Sequence, residues 1–372
     1  MVEAIASNAW VIFKDLREGF RARRQRSLVQ HCHWSALASS TMSAAPSHSM
    51  GLTFASFAGL GPTAGFTAAD WAVDAGYSSF WVAETTGLEA FSTLAAIGAA
   101  QPMLSLGTGV LATQLRTPGL TAMGAATLQA LHPERDILLG IGVSSPTVVS
   151  RWHGAEYGDR PLARMREELT LLRLCLSGEK VDFAGDFHTV KGFRLGVRLG
   201  EKRPKIILAA LNPRMLKLAG ELADGVLLNY LPASHVAWSV EQVRAGGDAT
   251  VYGYVHVGVT EPEPHRDLAR KDLFSYIVVD AYADNFIRAG FADEVAQVRE
   301  CHAAGDREAA LAAVSDRMVD AIDVLGDASH IRATVQSYVD AGLDVPVVMP
   351  MPWGTDRMAV IADTINAAAG RF

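Results

Sequence analysis

Four short stretches of the chain carry residue types that could do chemistry, each directly after an apolar run. In Phe80-Trp81-Val82-Ala83-Glu84 a carboxylate emerges from such a run. An acid in that position is partly desolvated, which suits it to hold or exchange a proton; the plainer role is a helix cap or a rim charge. Thr108-Gly109-Val110-Leu111 removes a side chain just where a strand would end. A glycine there marks a bulge or the close approach of a ligand, or else tight packing. In Leu139-Gly140-Ile141-Gly142-Val143-Ser144-Ser145 two glycines are read as clearing room for a planar ring, with hydroxyls beside it. In Ala209-Ala210-Leu211-Asn212-Pro213 the chain enters a helix-like segment whose free N–H groups could seat a phosphate. For Asn212 itself, capping that helix is the favoured role.

Further candidates are His153 in the Trp152-His153-Gly154 turn, Arg116, and Tyr252, Tyr254 and His256 on one face of a strand. The GxGxxS run at Gly140 is a weak dinucleotide signal, because no helix follows at once and the downstream acid is missing. None of the seven lysines falls at an expected strand C-terminus, which leaves Schiff-base chemistry without a nucleophile. His31-Cys32-His33 mimics a metal-ligand pair but stands in the N-terminal extension, and no metal is expected. An organic cofactor is the better expectation.

These stretches need a scaffold that gathers strand ends. Strands are read over Gly51 to Phe57, Ser79 to Ala83, Leu104 to Leu111, Asp136 to Gly142, Lys205 to Ala210, Gly225 to Asn229, Val251 to Val259 and Val345 to Met349. Helical patterns run over Ala68 to Ala75, Leu88 to Ala100, Pro118 to Leu131, Arg160 to Leu176, Pro213 to Leu222, Ala233 to Ala245 and, last, Ser329 to Ala341. Eight alternating strands predict an α/β fold, a (β/α)8 TIM barrel, with catalytic residues at the strand C-termini. Two stretches exceed a minimal barrel: Ser177 to Arg203, with hairpin-like runs FAGDFHTV and GFRLGVRLG, after the fourth helix, and the mainly helical Glu263 to Leu325 after the seventh strand. Both are expected to build the pocket rim.

The chain has 372 residues, 49% of them hydrophobic and 20% charged, enough for one large core. Residues 1–49 hold six Lys/Arg against three Asp/Glu, so of the net −7 the remainder carries −10, a poor match for nucleic acid. That segment is expected to be a disordered basic extension, and residues 50–372 one domain; a start of translation at Met50 is an alternative. Three widely spaced cysteines, Cys32, Cys175 and Cys301, indicate no disulfide framework, and the absence of a long apolar run gives no membrane span. A cytoplasmic location is expected.

The runs DAGYSSFWVAE, LGTGVLATQLRTP, ERDILLGIGVSSPTVVSRWHG, REELTLLRLCLSGEKVDFAG and PKIILAALNPRMLKLAGELADGVLLN together resemble the bacterial luciferase-like superfamily of flavin- and deazaflavin-dependent oxidoreductases. Gly140 to Gly154 and LNPRMLKLAG are more similar to its coenzyme F420 branch. That resemblance implies a non-prolyl cis bond at Gly109–Val110, forming a bulge behind the deazaflavin ring. It implies that Glu84 is the acid near the ring, that Gly140, Gly142, Val143 and Ser144 form a wall, and that Ala210, Leu211 and Asn212 hold the phosphate tail. Hydride would pass between ring carbon five and a small organic substrate. Thr85, Arg116 and His256 are then substrate-pocket candidates, and Glu84 and His153 the catalytic candidates. Thr85 stands where sugar-phosphate dehydrogenases of this branch have a histidine, which speaks against a sugar phosphate. The alternatives are an FMN-dependent monooxygenase fed by a partner reductase and a barrel that has lost its cofactor. The resemblance further implies a homodimer, with Met123, Leu128 and Leu131 as a possible seam.

Overall fold

Short apolar runs become strands wherever a glycine, proline or capping side chain stops them and a helix returns the chain. The computed structural model describes residues 49–370; the extension and the His31-Cys32-His33 motif lie outside them. The strands are β1 (Gly51–Thr53), β2 (Ser79–Val82), β3 (Ser105–Thr108), β4 (Leu111–Ala112), β5 (Ile137–Gly142), β6 (Val181–Ala184), β7 (Thr189–Phe193), β8 (Lys205–Ala209), β9 (Gly225–Leu228), β10 (Thr250–Val259), β11 (Asp323–Gly326) and β12 (Val345–Pro350). Eight of them run parallel in the order β12-β1-β2-β3-β5-β8-β9-β10, and β10 pairs with β12 to close the ring. This is a TIM barrel.

Helices return the chain between strands. Those over Pro118–Leu131 and Pro213–Leu222 begin with proline at their first position, where the missing N–H costs nothing. Thr117 caps the former through its hydroxyl, 3.3 Å from the Leu120 N–H. Leu128 of this helix is buried, while Met123 and Leu131 are exposed, so the three do not form one seam.

The run expected as one strand from Leu104 to Leu111 is interrupted. The Gly109–Val110 bond is cis, and β3 and β4 lie on either side of it, both against β5. The first strand stops at Thr53 and gives way to a 3-10 turn, Ala55–Leu60, before a helix that Pro62 starts earlier than expected. FAGDFHTV forms the antiparallel hairpin β6–β7, whereas GFRLGVRLG contributes only Gly192 and Phe193 to β7 and continues as loop. A last helix, Arg357–Ala368, capped by the Asp356 carboxylate at the Ala359 N–H, was not anticipated. The helix over Ala328–Asp340 is therefore the seventh of the barrel and Arg357–Ala368 the eighth.

Three apolar cores result. The largest lies between strands and outer helices. A second fills the barrel, where Trp81, Leu138, Ile207, Leu227, Tyr252 and Tyr254 interdigitate. The third belongs to the long insertion, whose helices Arg266–Ile277, Asp280–Arg288, Ala292–Ala303, Arg307–Ala312 and Asp316–Ile322 pack around Leu273, Phe286, Val298 and Met318. The insertion ends in β11, which adds to the upper half of β10 in the register His256 to Asp323.

Candidate active site

The strand C-termini surround a cavity of about 510 Å³. Every barrel strand or the loop after it contributes to its lining, as the barrel architecture requires. From the β2 to β8 side come small or apolar groups: Ala83, Gly109, Val110, Gly142, Val143, Ala209, Ala210 and Leu211. From the loop after β9 and from the insertion come Asn229, Tyr230, Tyr276 and Tyr282. The first side is thus mostly thin and apolar, with Thr85 and Ser144 as its hydroxyls, and the other carries three tyrosines.

The bulge at Gly109 is held from inside the barrel. Tyr254 donates its hydroxyl to the Gly109 carbonyl at 2.7 Å, and the Thr53 hydroxyl donates to Tyr254 at 3.3 Å. A Cβ on Gly109 would lie 1.8 Å from the Tyr254 oxygen, so no other residue fits. Gly140 has a related cause: a Cβ there would meet the Thr108 carbonyl at 1.9 Å. That glycine lets β5 pass close beneath β3 and does not line the cavity, which corrects its expected role of making room for a ring. Gly142 does line it.

Glu84 and Thr85 both face the cavity. The Glu84 carboxylate is already engaged: Oε2 accepts the Ala90 N–H at 3.0 Å, and Arg116 reaches both oxygens at 3.3 Å. Arg116 also pairs with Glu89 at 2.5 Å and lies over the Phe91 ring, so it braces the rim and stays outside the lining. The plainer sequence reading of Glu84, a cap and rim charge, describes its contacts. His153 lies outside the cavity too; its Nε2 meets the Thr85 carbonyl at 2.5 Å and ties the β5 loop to the β2 loop.

Asn212 stands at the head of Pro213–Leu222 without capping it. Its side-chain oxygen takes a hydrogen bond from Arg288 of the insertion instead, which corrects the capping expectation. The first-turn N–H groups therefore have no side-chain cap, and Asn212 and Arg214 line the cavity beside them. Ala210, Leu211 and Ser144 lie in the same wall.

His256 does not line the cavity, contrary to expectation. It is 2% exposed and belongs to a buried group that sequence spacing did not reveal. Its Nδ1 lies 2.9 Å from Asp323 Oδ1 and its Nε2 lies 2.8 Å from Asn229 Oδ1. Ligand atoms of His256, Asp272 and Asp323 fall within 4.8 Å of one another. Burial pushes both carboxyls up from the ordinary aspartate range and pulls the imidazole down to about 4. Asp272 and Asp323 come from a helix and a strand at opposite ends of the insertion, so no motif could join them.

Residues 62–345 match the family model described as luciferase-like monooxygenase. The chain belongs to the luciferase-like monooxygenase family. Among members of this family, it is 26% identical over 297 residues to 5,10-methylenetetrahydromethanopterin reductase of Methanolobus tindarius, covering 77% of this chain and 89% of that protein. The fold is similar to the structure of coenzyme F420-dependent tetrahydromethanopterin reductase from Methanopyrus kandleri, with TM-score 0.69 and 21% identity over 87% of this chain and 98% of that one. An F420-dependent secondary alcohol dehydrogenase solved with an F420-acetone adduct gives TM-score 0.64 at 16% identity, covering 87% and 99%. The luciferase-like barrel thus accounts for the strand-end cavity. Its tyrosine side was only partly legible: alternation pointed to Tyr254, while Tyr230, Tyr276 and Tyr282 lie in a loop and an insertion with no periodic signal.

Proposed function

We propose that this protein is a coenzyme F420-dependent oxidoreductase that transfers hydride to or from a small organic substrate. The observation that carries the reading is the cavity's division of labour: a thin apolar wall, over Gly109, Val110, Gly142 and Ala209, runs toward a helix start with no side-chain cap beside Arg214. A flat tricycle with an anionic tail fits that chemistry, because the wall excludes water and the N–H groups and guanidinium favour negative charge. The named relatives that use F420 support the same cofactor.

When bound, the deazaflavin supplies or accepts hydride at a substrate carbon. The chain's own residues do the rest. Gly109, Val110, Gly142 and Val143 would seat the ring, and Ala210, Leu211, Asn212 and Arg214 the tail. Tyr254 keeps the bulge in place through the Gly109 carbonyl. Glu84 and Arg116, held to each other, keep the β2 loop in register with the helix Ala90–Ala100. Holding substrate and ring in a dry, fixed geometry is the main catalytic contribution expected of such a site.

Titrating the protein with F420 and, separately, with FMN while following cofactor fluorescence tests the reading. F420 is expected to bind in preference, and Arg214→Ala to weaken it by about tenfold, roughly 1.4 kcal/mol. FMN binding without F420 binding would replace this proposal by a flavin monooxygenase, and binding of neither would leave a barrel without a cofactor.

A further inference from the structure

The buried group behind the tyrosines follows a hydrogen-bond account that does not close without extra protons. Asp323 Oδ1 faces His256 Nδ1, and the other imidazole nitrogen faces the Asn229 oxygen, which already accepts the Tyr230 N–H at 2.9 Å. Asp323 is wholly buried, and among the described residues its Oδ2 has no N–H donor. What reaches Asp323 is the carboxyl of Asp272. With a neutral His256 giving its Nε2–H to Asn229, Asp323 Oδ1 must carry a proton for Nδ1; a second proton lies between the two carboxyls, whose ligand atoms fall within 4.8 Å of each other, because two buried negative charges side by side are prohibitively unfavourable. The other polar groups around the pair are Tyr230 after β9, Tyr276 on the helix Arg266–Ile277 and Tyr338 on the helix Ala328–Asp340. Among the described residues no lysine or arginine is paired with either carboxyl, and the basic group beside them is His256. A metal ion fits less well, since Nδ1 and Oδ1 at 2.9 Å are already in direct hydrogen-bond contact and both imidazole nitrogens are engaged.

The group is also wired outward. Tyr230 donates its hydroxyl to Asp272 Oδ2 at 2.8 Å. The Tyr230 and Tyr276 rings stand 3.8 Å apart, close enough for their hydroxyls to influence each other, and both residues line the cavity.

We infer that Asp272, Asp323 and His256 form a buried proton store, connected to the cavity through Tyr230 and Tyr276, that serves substrates whose reduction leaves a charge on oxygen or nitrogen. The substrate class is a carbonyl or imine. This rests on the hydride-transfer reading above. Hydride from the reduced deazaflavin brings two electrons to the carbon, and the C=O or C=N π pair becomes a lone pair on the heteroatom. The Tyr276 O–H bond breaks as its proton bonds to that atom. The Tyr230 hydroxyl turns from Asp272 toward Tyr276 and gives up its proton, Asp272 replaces it across the 2.8 Å contact, and the carboxyl pair passes from two protons to one. Oxidation of an alcohol or amine runs the same chain inward. The store refills from cavity water by the same route after product leaves.

Infrared spectra of the ligand-free protein test the store without any cofactor. The difference between wild type and Asp323→Asn, and between wild type and Asp272→Asn, is expected to contain the C=O stretch of a protonated carboxyl at neutral pH; the difference removes the signals of Glu168 and Glu294, which are buried elsewhere. In D2O that band is expected to shift at least tenfold more slowly in Tyr276→Phe, which leaves both carboxyls in place. Only ionised carboxylates at neutral pH would overturn the store. Exchange at the wild-type rate in Tyr276→Phe would mean that protons pass Asp272 directly, and would overturn the wiring. Stoichiometric binding of Zn2+ or Mn2+, lost in Asp323→Asn, would make the group a cation site and overturn the proposal as well. Fluorescence titration with F420 on the same samples separates the two readings: failure to bind would remove the cofactor assignment while leaving the infrared result standing.

Discussion

Tyr254 links the barrel interior to the cavity floor through one hydroxyl. It accepts from Thr53 and donates to Gly109, and burial pushes its pKa upward, so the hydroxyl remains a donor throughout the working pH range. Tyr254→Phe keeps the ring and its packing but leaves the Gly109 carbonyl without this donor. Stability is expected to fall by about 1–3 kcal/mol, the usual consequence of a buried group left unpaired. F420 affinity is expected to fall with it, and chemical denaturation together with cofactor titration would read both. At this scale the sequence was informative where local geometry decides the residue type, as at Gly109. For Glu84 it offered the cap-and-rim reading beside the acid without deciding between them, and for His153 it was uninformative, because a side chain's partner depends on which loop folds beside it.

Strands and barrel helices were legible because each is an apolar run with its own start and stop signals, such as Pro118 and Pro213. The helix Arg357–Ala368 was missed, since its start signal is a lone aspartate after an irregular Met-Pro-Trp-Gly segment. The strand β11 was missed for another reason: it follows the helix Asp316–Ile322 with no turn residue between them, and it is a strand only because β10 extends far enough to pair with it. The insertion has its own apolar centre, in which Phe286 is wholly buried. Phe286→Ala is expected to cost about 3–5 kcal/mol. Because that core is separate from the barrel's, hydrogen exchange should rise in the helices over Arg266–Ile277 and Asp280–Arg288 while the β1, β2 and β12 amides keep their protection.

Whole-molecule stability should carry the signature of the buried carboxyl pair. Burial raises both Asp272 and Asp323 above their unfolded values, so the native state binds more protons than the unfolded state in the range between. The pair's contribution to stability is therefore fully present below the ordinary aspartate range and is lost as pH rises through the raised values. His235 and His256 are both lowered by burial, to about 4, and act in the opposite sense, but only below about pH 6.5, where free histidine begins to protonate. Between about pH 6.5 and pH 8 the carboxyl pair acts without them. Wild-type Tm is expected to decline across that interval, and the Asp323→Asn variant to decline less; equal slopes in calorimetry would contradict the assignment. Among the described residues no helix is long and apolar enough to cross a membrane.

The third core has an evolutionary corollary. Since the tract from Glu263 to Ile322 folds around side chains of its own while lending Tyr276 and Tyr282 to the cavity, selection can rewrite it without touching the wall at Gly109, Val110 and Gly142. Reactivity and taste are thereby encoded in separable modules, and a chimera that exchanges only this tract with a relative should inherit the donor's substrate preference together with the recipient's cofactor.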